Sequence, residues 1–430
     1  MYEFHPYFTN DGSVGLYNSD YNDIYHSADG ALTEAYEKFI YPLNIDKLLS
    51  KDNIRILDIC YGIGYNSKSF LNLVLEKIKF SKKNSKNLFI KNNSIETIYT
   101  NNISKKVEQK KSETNNIYNS TIYTDNIFGK IFIKAIDNDK ILSFISPFVK
   151  TGEKNFNNKN LDFEYKQIDK YLLKPKINKA KKIDKLINYL IFQKIDENNP
   201  DFEHSNELFE ILSNKAYKKY FDANLLSLYQ KFYFKGNDLY LLKRSLSFLH
   251  NIYYQYISNW YKRSLKIYNL DAVNFELEIG DARQVIINDK FIYDVIFLDA
   301  FTPAKCPCLW SYDFFKLLYN HLDNDGIILT YTSSAAVRSA MMEAGFYIGK
   351  IYNKSTDKFI GTIAVKNKTL IKHELTDEEL GLLKTTAGIF YKDKNLTGLN
   401  EAISEARNLE IKNSDRISSS QYFKHCKEKK

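Results

Sequence analysis

Four short apolar runs in this 430-residue chain each lead into an aspartate. They are IRILDICYGIGYNS (54–67), GKIFIKAIDNDK (129–140), VNFELEIGDARQVI (273–286) and YDVIFLDAFTP (293–303). Each run is of strand length and reads as a strand that ends at its acid. Segments of helical period lie between or after them: SKSFLNLVLEKIKF (67–80), LWSYDFFKLLYNHL (309–322) and AAVRSAMMEAG (335–345). DGIILTYTSS (325–334) adds a strand, and FYIGKIYNKSTDKFIGTIAVK (346–366) a hairpin. Strands alternating with helices imply an α/β fold with a mostly parallel sheet covered on both faces. The hairpin is expected to add an antiparallel edge.

This pattern sets the domain plan. Residues 1–50 form an N-terminal segment, turn-rich at first and helical over ALTEAYEKFIYPL (31–43). The α/β domain occupies 51–366. Two insertions are expected to interrupt it: a low-complexity stretch rich in Lys, Asn and Ser near 81–126, and a mostly helical one near 160–262. Residues 367–430 read as a charged C-terminal extension. The formal charge of +9 permits a nucleic-acid partner without requiring one. Four cysteines give no paired framework, which fits a reducing compartment. The CPC at 306–308 lacks a second Cys/His pair of usable spacing, so no metal is expected. No apolar run reaches membrane-spanning length, and the N-terminus has neither a basic nor an apolar leader region; a soluble cytoplasmic protein is expected.

In an open parallel sheet, ligands sit beyond the carboxyl ends of the strands. Those ends carry Asp58 to Asn66, Asp137, Asp281 and Asp299. Gly62 and Gly64 lie in a strand-to-helix turn, where glycine lets backbone approach a ligand; a tight turn with no ligand is the alternative. The spacing is not G-x-G-x-x-G, and there is no P-loop lysine. Asp137 suits ribose hydroxyls, or else caps a helix. Asp281 is placed to accept from an adenine amino group. A glycine turn, two acids and no phosphate-binding lysine fit S-adenosyl-L-methionine better than NAD or ATP.

At these residues the chain resembles a known family. LDICYGIGYN, GDAR, FLDAFTPAKCPCLW, TYTSSAAVR and EAGF are similar to the methyltransferase part of the bifunctional tRNA 5-methylaminomethyl-2-thiouridine biosynthesis proteins. FTNDGSVGLYNSDYNDIYHSADGALTEA, GTIA and FYKDKNL resemble its stand-alone members, which lack the FAD-dependent half; nothing in the sequence suggests a flavin-binding domain. The resemblance covers about 1–80, 128–145 and 270–425. It implies a Rossmann-like class I S-adenosylmethionine-dependent methyltransferase that methylates the amine of 5-aminomethyl-(2-thio)uridine at the tRNA wobble position.

The resemblance also assigns residues. Gly62, Gly64 and Asn66 fall in the cofactor loop after Asp58, Asp137 matches the ribose acid (with Glu96 in SIET as competitor), and Asp281 and Ala282 match the adenine-side pair. Asp299 matches the active-site aspartate: a carboxylate beside the cofactor can orient an amine and accept its proton. Phe301 would stack on an extruded wobble base, with Pro303 stiffening that wall and Tyr331 and Thr332 lining the same pocket. Lys305, Arg338, Lys350 and Lys358 would meet the phosphates of the anticodon stem-loop. Tyr25, His26, Ser27 and Glu34 would cover the methionine end. Three positions depart from the family: Cys60 replaces its first glycine, Cys306 an asparagine and Cys308 an acid. A different RNA base, a small-molecule amine, or a non-catalytic tRNA-binding role are the competing functions.

Overall fold

The computed structural model describes residues 4–8, 13–18, 23–24, 30–74, 130–139, 146 and 273–428. Both expected insertions, Glu96, and Tyr25, His26 and Ser27 lie outside the described residues.

The N-terminal segment contains strands that its turn-rich sequence did not announce. β1 (Phe4–Phe8), β2 (Val14–Asn18) and β3 (Asp23–Ile24) form a small antiparallel sheet. The expected helix follows as an α-helical turn, α1 (Ala31–Glu34), continued by a π-helical stretch, Ala35–Ile40. α2 (Ile45–Leu49) leads into the main sheet.

That sheet has seven strands: β4 (Asn53–Ile59), β5 (Lys130–Asp137), β6 (Val273–Ile279), β7 (Tyr293–Leu298), β8 (Leu322–Thr330), β9 (Tyr347–Asn353) and β10 (Lys358–Val365). Their spatial order is β6-β5-β4-β7-β8-β10-β9. β4 to β8 pair in parallel, and β10 runs antiparallel to both β8 and β9. The hairpin thus forms the antiparallel end of the sheet, with β10 docked on β8 and β9 outermost. A hairpin fixes only that its two strands pair; which one docks on β8 depends on packing. Burial follows position. Central β7 is buried at all six residues, whereas edge strand β6 alternates buried and exposed. Strand order reverses between β4 and β7, so the crevice beyond their carboxyl ends is the topological switch point.

Helices cover both faces. α3 spans 65–74, α4 is Ala282–Ile287, α5 is Tyr312–His321 and α6 is Ala335–Glu343. Trp310, with Phe314, Phe315 and Leu318 of α5 and Val337 and Met341 of α6, packs with Leu57, Ile296, Leu298 and Ile328 of the sheet in one core. Phe39 meets Phe297 of β7 edge-on, with ring centroids 5.8 Å apart. This brings the N-terminal helix over the sheet and sets Glu34 near the strand ends.

The C-terminal segment is more than a charged extension. It carries α7 (Asp377–Leu383), α8 (Asn400–Lys412) and α9 (Ser419–Glu428). Tyr391 and Ile403 join the main core, and Tyr391 bridges in parallel to Ser311 at the start of α5. Asp393 holds Arg283 of α4, Nη1 to Oδ2 2.5 Å. Its charge pattern alone could not reveal that the apolar residues between its helices complete the domain. No helix among the described residues is long and apolar enough to cross a membrane.

Candidate active site

β4 delivers the chain into a loop with three left-handed residues: Cys60 (φ 62°), Gly62 (φ 55°) and Gly64 (φ 83°). Only glycine adopts this conformation freely. The family's glycine at position 60 thus has a backbone reason, and Cys60 occupies the same conformation at a cost. At Gly64 a Cβ would lie 2.4 Å from the Tyr61 ring, so the position is closed to any side chain.

The loop is clamped on two sides. The N–H groups of Cys60 and Tyr61 donate to the Ile136 carbonyl, and that of Gly62 donates to Asp137 Oδ2 at 2.6 Å. From beneath, the buried Lys68 of α3 donates to the carbonyls of Ile63 (2.8 Å) and Ser146 (2.5 Å). Burial pushes the Lys68 pKa well down. This lysine therefore faces backbone carbonyls, not the cavity.

Beyond the strand ends lies a cavity of about 430 Å³. That is the size of a nucleoside-class ligand site. Its walls bring together expected residues from seven parts of the chain. Gly62 and Asn66 come from the β4 loop and helix, Asp137 from β5, Asp281 and Ala282 from the β6–α4 turn, Asp299 and Phe301 after β7, Tyr331 after β8, and Glu34 from α1. Cys60, Cys306, Cys308 and Asn400 of α8 also line it. Asn400 carried no local signal, since its neighbourhood is assembled across more than a hundred residues of chain.

Asp299 sits at the switch point. Its Oδ2 accepts from Asn66 Nδ2 at 3.0 Å, a contact that gives Asn66 a second role beside the loop. Burial, then the charge of Glu34, pushes its pKa up to about 7, against the Asn66 hydrogen bond and the Lys38 charge. Glu34 is itself ion-paired with Lys38, whose ammonium lies 5.4 Å from the Tyr331 ring centre. Asp137 is likewise raised to about 7, chiefly by burial and then by Asp139. Its Oδ1 accepts from the Asp139 N–H at 2.7 Å. Asp281 caps α4 by accepting from the Arg283 N–H, and its carboxylate also holds the Arg283 guanidinium. The wall after β7 is pinned by Trp310, whose Nε1 donates to the Phe301 carbonyl at 2.7 Å, and by Tyr331, whose hydroxyl donates to the Ala300 carbonyl at 2.9 Å.

Four expected residues, Asp58, Arg338, Lys350 and Thr332, stand elsewhere. Asp58 does not line the cavity: it lies fully buried under the loop, accepts from Ser67 Oγ, and burial raises it to about 8. Arg338 and Lys350 were expected at phosphates, but both are buried and share one acid. Arg338 Nη1 donates to Glu379 Oε1 (3.2 Å) and Lys350 Nζ to Glu379 Oε2 (2.7 Å). A buried cation requires a local partner, and α7 supplies it. Gly64 and Pro303 are adjacent to the lining without being part of it, and Thr332 is buried with its carbonyl accepting from Thr362. Lys305 is half-buried in the loop after β7, and Lys358 is exposed where β10 projects past the end of β8.

The donor set suits S-adenosyl-L-methionine. Acids at Asp137 and Asp281 can take ribose hydroxyls and an adenine amino group, and Glu34 and Asp299 suit a cation. The nearby cations are committed, Lys68 to carbonyls and Arg283 to Asp281 and Asp393, which leaves the cavity poorly furnished for a pyrophosphate. Among the described residues no group of three His, Cys, Asp or Glu could hold a metal ion.

Residues 246–366 match the model of an S-adenosyl-L-methionine-dependent methyltransferase family. An uncharacterized protein of Methanocaldococcus jannaschii is 32% identical over 141 residues, covering 33% of this chain and 39% of that protein. The tRNA 5-methylaminomethyl-2-thiouridine biosynthesis bifunctional protein MnmC of Burkholderia thailandensis is 42% identical over 79 residues, 18% of this chain and 12% of that protein. The chain thus spans well under half the length of either curated relative. The crystal structure of MnmC2 from Aquifex aeolicus superposes with a TM-score of 0.51 at 18% identity, covering 96% of this chain and 86% of that one. At that identity the likeness speaks for the fold, which is Rossmann-like and class I.

Proposed function

We propose that this chain, an MnmC-like methyltransferase whose cofactor is S-adenosyl-L-methionine, methylates the amine of 5-aminomethyl-(2-thio)uridine at the tRNA wobble position. The observation that carries the proposal is Asp299. It stands at the switch point, oriented by Asn66, with a pKa of about 7 and an aromatic wall beside it.

The bound cofactor supplies an electrophilic methyl group. The chain's residues have to supply a nitrogen lone pair and its alignment. A primary aliphatic amine with a pKa of about 10 is protonated near neutrality and has no lone pair to offer. Asp299, ionised above about pH 7, holds the ammonium by charge and hydrogen bond and receives its proton at a carboxylate oxygen. Asn66 donates to Oδ2 and so leaves Oδ1 for the amine. Phe301 and Tyr331 offer flat faces to an extruded base, and the carbonyl contacts from Trp310 and Tyr331 hold that wall in place. Glu34 faces the same space and suits the cationic methionine end. Lys305 and Lys358 flank the strand-end face and would meet the anticodon stem-loop. The similarity to MnmC, a tRNA 5-methylaminomethyl-2-thiouridine biosynthesis protein, supports this choice of substrate over a small-molecule amine.

The test is methylation of tRNA from cells lacking this protein, with nucleosides analysed by mass spectrometry. Wild type should convert the aminomethyl to the methylaminomethyl nucleoside, and Asp299→Ala should lose about 10²- to 10⁴-fold in rate while still binding S-adenosyl-L-homocysteine. Cofactor binding with no change in that nucleoside would reject the substrate.

A further inference from the structure

The methyl-transfer proposal leaves three thiols in the cavity wall without a role. Cys60, Cys306 and Cys308 all line it, and the Sγ atoms of Cys306 and Cys308 lie 3.7 Å apart. The pair flanks Pro307, which starts a 3₁₀ turn (Pro307–Trp310), and the Cys308 N–H donates to Asn400 Oδ1 at 3.3 Å. We propose that Cys306 and Cys308 form a peroxide-reactive dithiol site on the adenine side of the cofactor cavity, closing to a disulfide that excludes the cofactor and is shielded by it.

The surroundings divide the work between the two sulfurs. The Arg283 guanidinium, fixed by Asp281 and Asp393, lines the same cavity, and its charge acts on Cys308. The hydrogen bond between the two sulfurs, then Arg283, lowers the Cys308 thiol against burial and the charges of Asp281 and Asp393, while the same hydrogen bond and burial raise Cys306. The Arg283 charge favours Cys308 as the attacking thiolate, with Cys306 as the resolving thiol. Cys60 is pushed well up by burial and by the acids around it, Asp137 first, which makes it the poorer nucleophile.

The chemistry balances with a hydroperoxide as oxidant. The Cys308 thiolate attacks one peroxide oxygen, the O–O bond breaks and hydroxide leaves, giving a sulfenic acid. The Cys306 sulfur then attacks the sulfenic sulfur. The S–O bond breaks, water leaves and the S–S bond forms. Two thiols are oxidised and one hydrogen peroxide is reduced to two waters. Drawing the sulfurs from 3.7 Å to bonding distance moves the cavity wall beside Ala282, where the adenine is expected.

The test exposes the full-length protein to hydrogen peroxide, with and without saturating S-adenosyl-L-homocysteine, then alkylates free thiols and maps the peptides by mass spectrometry. The expected result is loss of two hydrogens per chain in a Cys306–Cys308 linkage, reversed by dithiothreitol, formed several-fold more slowly with ligand present. The oxidised protein should bind S-adenosyl-L-homocysteine at least several-fold more weakly. Cys306→Ser should stop at a sulfenic acid on Cys308 that dimedone traps. A linkage from Cys60 to either partner, oxidation confined to Cys426, or disulfide formation at the same rate with ligand bound would each overturn the proposal. The wild-type peptide map decides among these even if the variant does not fold.

Discussion

Asp299 and Asp137 show how one environment gives two carboxyls different consequences. Both are raised to about 7, each mainly by burial. A carboxyl raised in this way is neutral below about pH 7 and gains its charge as pH rises through that value. Any cationic ligand held by the ionised form therefore binds more tightly at higher pH. S-adenosyl-L-methionine carries a sulfonium and S-adenosyl-L-homocysteine does not, while the two share the ribose that Asp137 is expected to take. The Asp137 contribution cancels in the ratio of their affinities, and the Asp299 contribution remains. Preference for S-adenosyl-L-methionine over S-adenosyl-L-homocysteine should rise several-fold between about pH 6 and about pH 8. Asp299→Asn should flatten the rise. Isothermal titration of both ligands across that range is the measurement, and an unchanged slope in the variant would remove Asp299 from the cation's neighbourhood.

Among the elements, the β4 loop and the β9–β10 hairpin differ most in how far the sequence exposed them. The loop was legible because its constraint is local. A buried strand ending at Ile59, followed by glycines at 62 and 64, permits few conformations, and the left-handed angles at those glycines are what their places suggest. Cys60 was readable as a departure, but its positive φ was not, since nothing in a cysteine announces one. The hairpin was legible as a pairing and not as a placement. The strand that docks on β8 is chosen by long-range contacts: Thr362 of β10 lies opposite Thr330 and donates to the Thr332 carbonyl. The loop also makes the sharper prediction. Gly64→Ala would strain a left-handed position, costing about 1–2 kcal/mol, and would drive its Cβ into the Tyr61 ring. Tyr61 reaches Ser146 through its hydroxyl, at 2.8 Å, so displacing the ring disturbs the clamp under the loop. The variant should fold with a lower Tm and bind S-adenosyl-L-homocysteine at least tenfold more weakly. A melt and a titration check both.

The molecule as a whole ties its cofactor site to a segment that the sequence presented as an appendage. Arg283 is gripped by Asp281 at the cavity and by Asp393 beyond the main domain, with Asp393 almost fully buried. Hydrogen bonds to these two acids outweigh burial and keep the arginine charged. Removing one partner of such a cluster leaves a buried charge under-compensated, which costs about 3–5 kcal/mol. Asp393→Ala should therefore lower Tm strongly and, by freeing Arg283, also weaken S-adenosyl-L-homocysteine binding. Thermal shift with and without ligand separates the two effects.

The same integration decides which basic residues can serve RNA. Counted along the sequence, Lys305, Arg338, Lys350 and Lys358 made one basic set flanking the strand ends. The fold divides it, because Arg338 and Lys350 are turned inward onto Glu379 while Lys358 stays exposed at the tip of the hairpin. Burial lowers Arg338, and Glu379 opposes that shift. A cation neutralised in this way releases no counterions from RNA, so the two groups should fail differently. Lys358→Glu should weaken tRNA binding and reduce the slope of log affinity against log salt by about 1, without changing Tm. Arg338→Met should leave the salt slope unchanged and lower Tm, because it removes the guanidinium that meets the Thr362 hydroxyl at 3.0 Å and leaves Glu379 with Lys350 as its cation. Filter binding at several salt concentrations, paired with a thermal melt of each variant, checks both. A reduced slope in Arg338→Met would mean that this arginine leaves Glu379 when RNA arrives.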